Sequence, residues 1–176
     1  EDKLYPTHSG AKLAPNLYSY NSIIGRLIQE GQYDQAQDLL SKMQYMSVRP
    51  DETTYNTLMW IHMKNRDLQS ARALMDEMGQ NGVKPDTTTY NILMEIYGEQ
   101  GDLKGARALF AEMKHMGVKP DTLVFTTMMR VLIKHEKLEE ALDLLKEMKK
   151  LNITPDKKNF VVLLKACLKN NNFDDS

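Results

Sequence analysis

Asn21, Asn56 and Asn91 stand 35 residues apart, and Thr126 is next in the same column. A side-chain amide both donates and accepts hydrogen bonds, so it can address the polar edge of a ligand in two directions at once. Asparagine is a poor helix-interior residue, and its return at one helical register favours function over packing. A second column repeats at the same interval: Pro15, Pro50, Pro85, Pro120 and Pro155, followed by Asn16, Asp51, Asp86, Asp121 and Asp156. A Pro-Asp step before a helix has two readings, and they can coexist. The carboxylate caps free amides and favours the helix dipole, or it orients a neighbouring amide and reaches a ligand through water. Covalent and metal chemistry find no support. The chain has one cysteine, Cys167, and four scattered histidines without ligand spacing, and no acid, base and nucleophile converge, so neither a catalytic site, a metal site nor a cofactor is expected.

These columns belong to a larger repeat. Ala36, Ala71, Ala106 and Ala141 form another column, as do Met43, Met78, Met113 and Met148. Self-similarity at such a period is the signature of a stacked array. Within one unit Tyr90, Leu93, Met94 and Tyr97 recur at helical spacing, and Leu103, Ala106, Leu109, Phe110 and Met113 do so again after Gly101. Each unit therefore reads as two amphipathic helices. Gly101 can take the left-handed conformation that ends the first, and Pro85 stands where a chain cannot continue the second. One helical hairpin buries too little to stand alone, so neighbours must share a core. The predicted fold is all-α, an α-solenoid with nine helices.

A sequence of 176 residues, 41% apolar with net charge −1, has an ordinary soluble composition whose bulk charge names no partner. No apolar run approaches the roughly 18 residues of a spanning helix, so no membrane insertion is expected. Residues 1–14 lack helical periodicity and read as an N-terminal arm. The array is expected over 15–172: four full repeats at 17–51, 52–86, 87–121 and 122–156, a partial fifth at 157–172, then a tail at 173–176. That ending predicts a partly uncovered face at Phe160, Leu163, Leu164 and Cys167, for which a longer chain, a partner or self-association stay open as covers. Because the sequence starts at Glu1 rather than Met, a removed leader and an excised piece both stay open.

The unit TTYNILMEIYGEQGDLKGARALFAEMKHMGVKPD resembles a pentatricopeptide repeat of the P-type, 35-residue kind, fully over 17–156 and in part over 157–172. The tetratricopeptide repeat is set aside, having a 34-residue period and a W-x2-L-G-x2-Y opening absent here. The resemblance implies a right-handed superhelix that binds single-stranded RNA on its concave face in the mitochondrion, or alternatively the chloroplast, at about one base per repeat. It further implies base recognition by pairs: Asn21 with Asp51, Asn56 with Asp86, Asn91 with Asp121, and Thr126 with Asp156. The first three resemble uracil readers and the fourth a guanine reader, giving a register of 5′-UUUG-3′.

On the same helical face, steps of three, four and four residues align Thr53, Asn56, Trp60 and Lys64. The resemblance assigns base packing to the top of each stripe, hence to Tyr18, Thr53, Thr88 and Leu123, and phosphate contact to Lys64, Lys134 and Lys169. Gln29 and Glu99 depart from the lysine column. Glu95 and Glu99 beside a phosphate path would repel it, whereas Arg130, Lys134, Lys158, Lys165 and Lys169 make the C-terminal end of that surface basic. Trp60 lies among polar residues, where its ring suits stacking on a base or anchoring a partner. The 12 methionines mostly fall in core columns and read as gap-filling packing. His62, in the column of Leu27, Tyr97 and Leu132, reads as a partly buried, hydrogen-bonded residue rather than a catalytic one.

The leading expectation is an RNA-binding module without enzymatic activity, acting in organellar RNA processing, stability or translation. The alternative is a protein-interaction scaffold, a subunit of a mitochondrial ribosome or other organellar assembly. The Asn/Asp pairs favour RNA. The near-neutral charge, the two glutamates and the short array favour the scaffold.

Overall fold

The computed structural model describes residues 16–171; the expected arm, Pro15 and the tail lie outside the described residues. Among the described residues there are nine α-helices and no strand: α1 (Leu17–Gln29), α2 (Tyr33–Tyr45), α3 (Glu52–Asn65), α4 (Leu68–Gln80), α5 (Thr87–Gln100), α6 (Leu103–His115), α7 (Thr122–Lys134), α8 (Leu138–Lys150) and α9 (Lys157–Asn171). They fall into two compact units, one ending at Pro50 with α1 and α2, the other starting at Asp51 with α3 to α9.

The Pro-Asp column starts the first helices by capping them. Asp51, Asp86 and Asp121 each sit in extended backbone and accept the amide of the residue three positions on, Thr54, Thr89 and Val124, at 2.9 Å. Asn16 does the same for Ser19. Where the third residue is threonine, in α3 and α5, its hydroxyl accepts the cap's own amide and completes a reciprocal box.

The turns are as periodic as the caps. Positive φ recurs at Gly31, Arg66, Gly101 and Glu136 after the first helices, and at Ser47, Gly82, Gly117 and Asn152 after the second. Each left-handed residue lets the next amide reach back five residues, as Asp102 does to the Tyr97 carbonyl at 2.9 Å and Val83 to that of Met78 at 2.9 Å.

In the unit from Asp51, the first helices form one layer: α5 packs between α3 and α7, and α9 packs on α7. Each second helix packs on its own partner and on the next first helix, α4 on α5, α6 on α7 and α8 on α9. The second helices reach one another through long side chains, in ion pairs Arg72–Glu112, Arg107–Glu140 and Lys114–Glu147. The continuous core between the layers buries Tyr90, Leu93, Met94, Phe125, Met129 and Met113, and Phe110 meets Phe125 edge to face at 5.6 Å. Each such side chain contributes about 1.5–3 kcal/mol on removal from water. In the hairpin ahead of it, Tyr20, Ile24, Ile28, Ala36, Leu40 and Met43 are buried.

The expected uncovered face on α9 is there in part. Phe160, Leu164 and Leu168 are exposed, whereas Leu163 turns inward and is buried.

Candidate nucleic-acid interface

The column pairs are built by the caps. Asp86, fixed at the start of α5, accepts from Asn56 of α3 at 3.0 Å through the same Oδ1 that takes the Thr89 amide. Thr89 then donates its hydroxyl to the Asn56 carbonyl oxygen at 2.7 Å. One end of the Asn56 amide is thus fixed by a carboxylate and the other by a hydroxyl. The side chain is half-buried and keeps one N–H and one lone pair for a ligand.

Thr126 and Asp156 are arranged differently. The Thr126 hydroxyl donates to the Thr122 carbonyl at 2.7 Å and accepts from the Asn159 amide at 2.8 Å. Asp156 takes the amides of Lys158 and Asn159 at 2.8 and 3.1 Å. Both line an open groove of about 660 Å³ with Leu123, Arg130, Lys158 and Val161. Glu95 lines it too, so apolar side chains, polar groups and charges of both signs share one groove, with Arg130 and Lys158 as cations, a lining that suits a flat heteroaromatic ring on a charged backbone.

Asn91 and Asp121 occupy the same columns without being joined. Asp121 caps Val124, and no hydrogen bond links it to Asn91 among the described residues. Asn91 is only 8% exposed and its carbonyl oxygen is buried without a partner. Asn21 is half-buried on α1 and Asp51 caps α3, so these two belong to different compact units.

At the tops of the stripes Tyr18, Thr53, Thr88 and Leu123 are all exposed. Trp60 is also on the surface, with the Lys64 ammonium 4.5 Å from its ring centroid, so the two form one cation–π unit. The charges near α5 are more balanced than the sequence alone suggests. Glu95 is paired with Arg130, and Glu99 with Arg66 at 3.1 Å, so neither carboxylate stands uncompensated. Lys134 donates to the Gly98 and Glu99 carbonyls at the end of α5, at 2.8 and 3.4 Å. Lys169 is exposed on α9. His62 is buried, with its Nδ1 3.6 Å from Asp67.

Sequence reasoning missed the column Thr54, Thr89, Val124, Asn159. Its signal was the same 35-residue interval, but its side chains vary, and the contacts of Thr89 and Asn159 are with the preceding repeat, which a single unit does not reveal.

Helical hairpins in tandem, with the polar column residue Asn56 joined to the Asp86 cap of the next first helix, define an α-solenoid repeat protein. The PPR repeat family model matches residues 15–60, 50–96, 85–132 and 120–169, and the chain belongs to this pentatricopeptide repeat family. Among solved structures, PPR10 from maize is 22% identical with a TM-score of 0.74, covering 92% of this chain and 23% of that one. PPR10 in complex with an 18-nt psaJ RNA element is 27% identical with a TM-score of 0.75, covering 84% and 22%. The PPR domain of Arabidopsis thaliana protein-only RNase P 1, in complex with tRNA, is 18% identical with a TM-score of 0.70, covering 89% and 82%. The chain therefore spans less than a quarter of PPR10. No curated protein matches it by sequence. Among the described residues no group of acidic, histidine or cysteine side chains could hold a metal, and no helix is long and apolar enough to cross a membrane.

Proposed function

We propose that this chain binds single-stranded RNA along the face carrying Asn56, Asn91 and Thr126, at about one base per repeat. The observation that carries the reading is the Asn56–Asp86 hydrogen bond at 3.0 Å. It spans two repeats and holds an amide with donor and acceptor capacity to spare. The RNA-bound PPR10 likeness at 27% identity supports the same class of ligand. The register is 5′-UUUG-3′, with the last three letters on Asn56/Asp86, Asn91/Asp121 and Thr126/Asp156. Tyr18, Thr53, Thr88, Leu123 and Trp60 would pack on bases, and Lys64, Lys134 and Lys169 would meet phosphate. Binding alone suffices to block, expose or deliver a short RNA in the mitochondrion or the chloroplast, and no catalytic step is needed.

The opposing reading is a protein scaffold within an organellar assembly. The exposed Phe160, Leu164 and Leu168 of α9 favour it, because such a face suits a packed neighbour. Thr126→Asn separates the two. If the column reads bases, the fourth preference moves from guanine toward uracil by about 1 kcal/mol or more, with little change in melting. Fluorescence anisotropy of parent and variant against unstructured RNAs containing UUUG or UUUU measures it. RNA binding with unchanged relative affinities removes base reading from this column, and no RNA binding at all leaves the scaffold.

A further inference from the structure

Two of the three column residues in the unit from Asp51 receive a hydrogen bond from the next repeat, always from the third residue of its first helix. Thr89 donates to Asn56 at 2.7 Å, and Asn159 donates to Thr126 at 2.8 Å. In the same register Val124 stands opposite Asn91. Valine has nothing to donate. The Asn91 carbonyl oxygen is accordingly buried without a partner, and Asp121 does not hold the amide's other end.

From this asymmetry, and resting on the proposed RNA reading, we infer that the third first-helix residue is a specificity-determining position and that Val124 makes the Asn91 repeat accept uracil and cytosine alike, which relaxes the third letter of the proposed register to either pyrimidine. The reason lies in the pyrimidine edges. Uracil offers a donor at N3 beside an acceptor at O4; cytosine offers an acceptor at N3 beside a donor at N4. An amide matches one pattern, and after a half-turn about its Cβ–Cγ bond it matches the other. Asn56 cannot make that turn, because the half-turn would set its NH2 against the Asp86 cap's partner Thr89 and its oxygen against the Asp86 carboxylate. Asn91, tied at neither end, can turn and gains a partner for its buried oxygen from either base.

The test pairs two RNAs differing only in U or C opposite Asn56, and two differing only opposite Asn91. The parent should prefer uracil by about tenfold at Asn56 and by no more than about threefold at Asn91. Val124→Thr should raise the Asn91 preference toward tenfold, and Thr89→Val should lower the Asn56 preference. The reciprocal variant guards against a Val124→Thr chain that folds poorly. Equal discrimination at the two positions in the parent, or no response to either variant while RNA remains bound, overturns the inference alone. Side-chain amide NMR without RNA gives an independent arm: 15N relaxation should show the Asn91 NH2 group less ordered than that of Asn56, as a group free to turn about Cβ–Cγ would be, and Val124→Thr should order it. If no RNA in the panel binds, the proposed function falls, and an Asn91 amide as ordered as that of Asn56 overturns the orienting role as well.

Discussion

Gly105 shows how little slack the repeat core leaves to a single side chain. A Cβ added there would lie 2.3 Å from the Tyr97 ring and 2.6 Å from Asp102, and the ring is not free to retreat, because the Arg72 guanidinium lies 5.9 Å from its centroid. Gly105→Ala gains about 1 kcal/mol of helix propensity, yet it forces the ring or the Asp102 cap aside. Overpacking of this kind costs about 1–3 kcal/mol, so the variant should be level with the parent or less stable in urea unfolding; a clearly stabilised variant would show that Tyr97 yields freely. At this scale the sequence is legible where one unit contains the whole interaction. Asp86 capping Thr89 is such a case, since cap and amide lie three residues apart. The bare carbonyl of Asn91 is not, because it follows from a valine in the next repeat.

The helices inherit their ends from columns, and the columns have faults. Asp67 and Asp102 cap α4 and α6 by accepting from Ser70 at 3.1 Å and Gly105 at 2.8 Å. In the same column Lys137 begins α8 with no side-chain cap, and it puts a cation at the positive end of the dipole. Lys137→Asp should therefore stabilise the chain by about 1 kcal/mol, read as a rise in Tm of about 2–4 °C; no rise would mean that Glu139 and Glu140 already serve that end electrostatically. The gain has a pH sign. The Asp67 carboxyl is held below its ordinary pKa by hydrogen bonds from the Ser70 side chain and backbone, with His62 adding to them. A group lowered on folding contributes above its unfolded pKa and loses that contribution as pH falls through the folded one. The benefit of Lys137→Asp should fade on acidification in the same way. Element boundaries were readable because proline, aspartate and glycine mark them; Arg66 and Glu136 kept left-handed turns without glycine, which composition does not announce.

Across the whole molecule, 23 basic and 24 acidic residues nearly cancel, and the structure shows where much of the basic charge is spent. Arg72, Arg107 and Lys114 join the second helices, Arg66 and Arg130 answer Glu99 and Glu95, and Lys134 is directed at helix-end carbonyls. These pairs are partly exposed, and each contributes little to stability, but they decide how many cations remain for an RNA backbone. The basic surface expected near the C-terminal end is consequently smaller than its residue count. If Lys64 and Lys169 meet phosphate and Lys134 keeps a donor for it beside its carbonyl partners, the logarithm of affinity should fall with the logarithm of salt at a slope near −2, about −0.7 for each contact with a single strand. Glu95→Gln removes the anion facing Arg130, which stands at the rim of the groove with Thr126 and Asp156. That change should tighten RNA binding at low salt and steepen the slope by about 0.7, the mark of one added phosphate contact. Anisotropy titrations of both proteins across a salt series measure it. A tighter complex with an unchanged slope would place the released guanidinium on a base instead of a phosphate, and unchanged binding would place the RNA path away from Arg130.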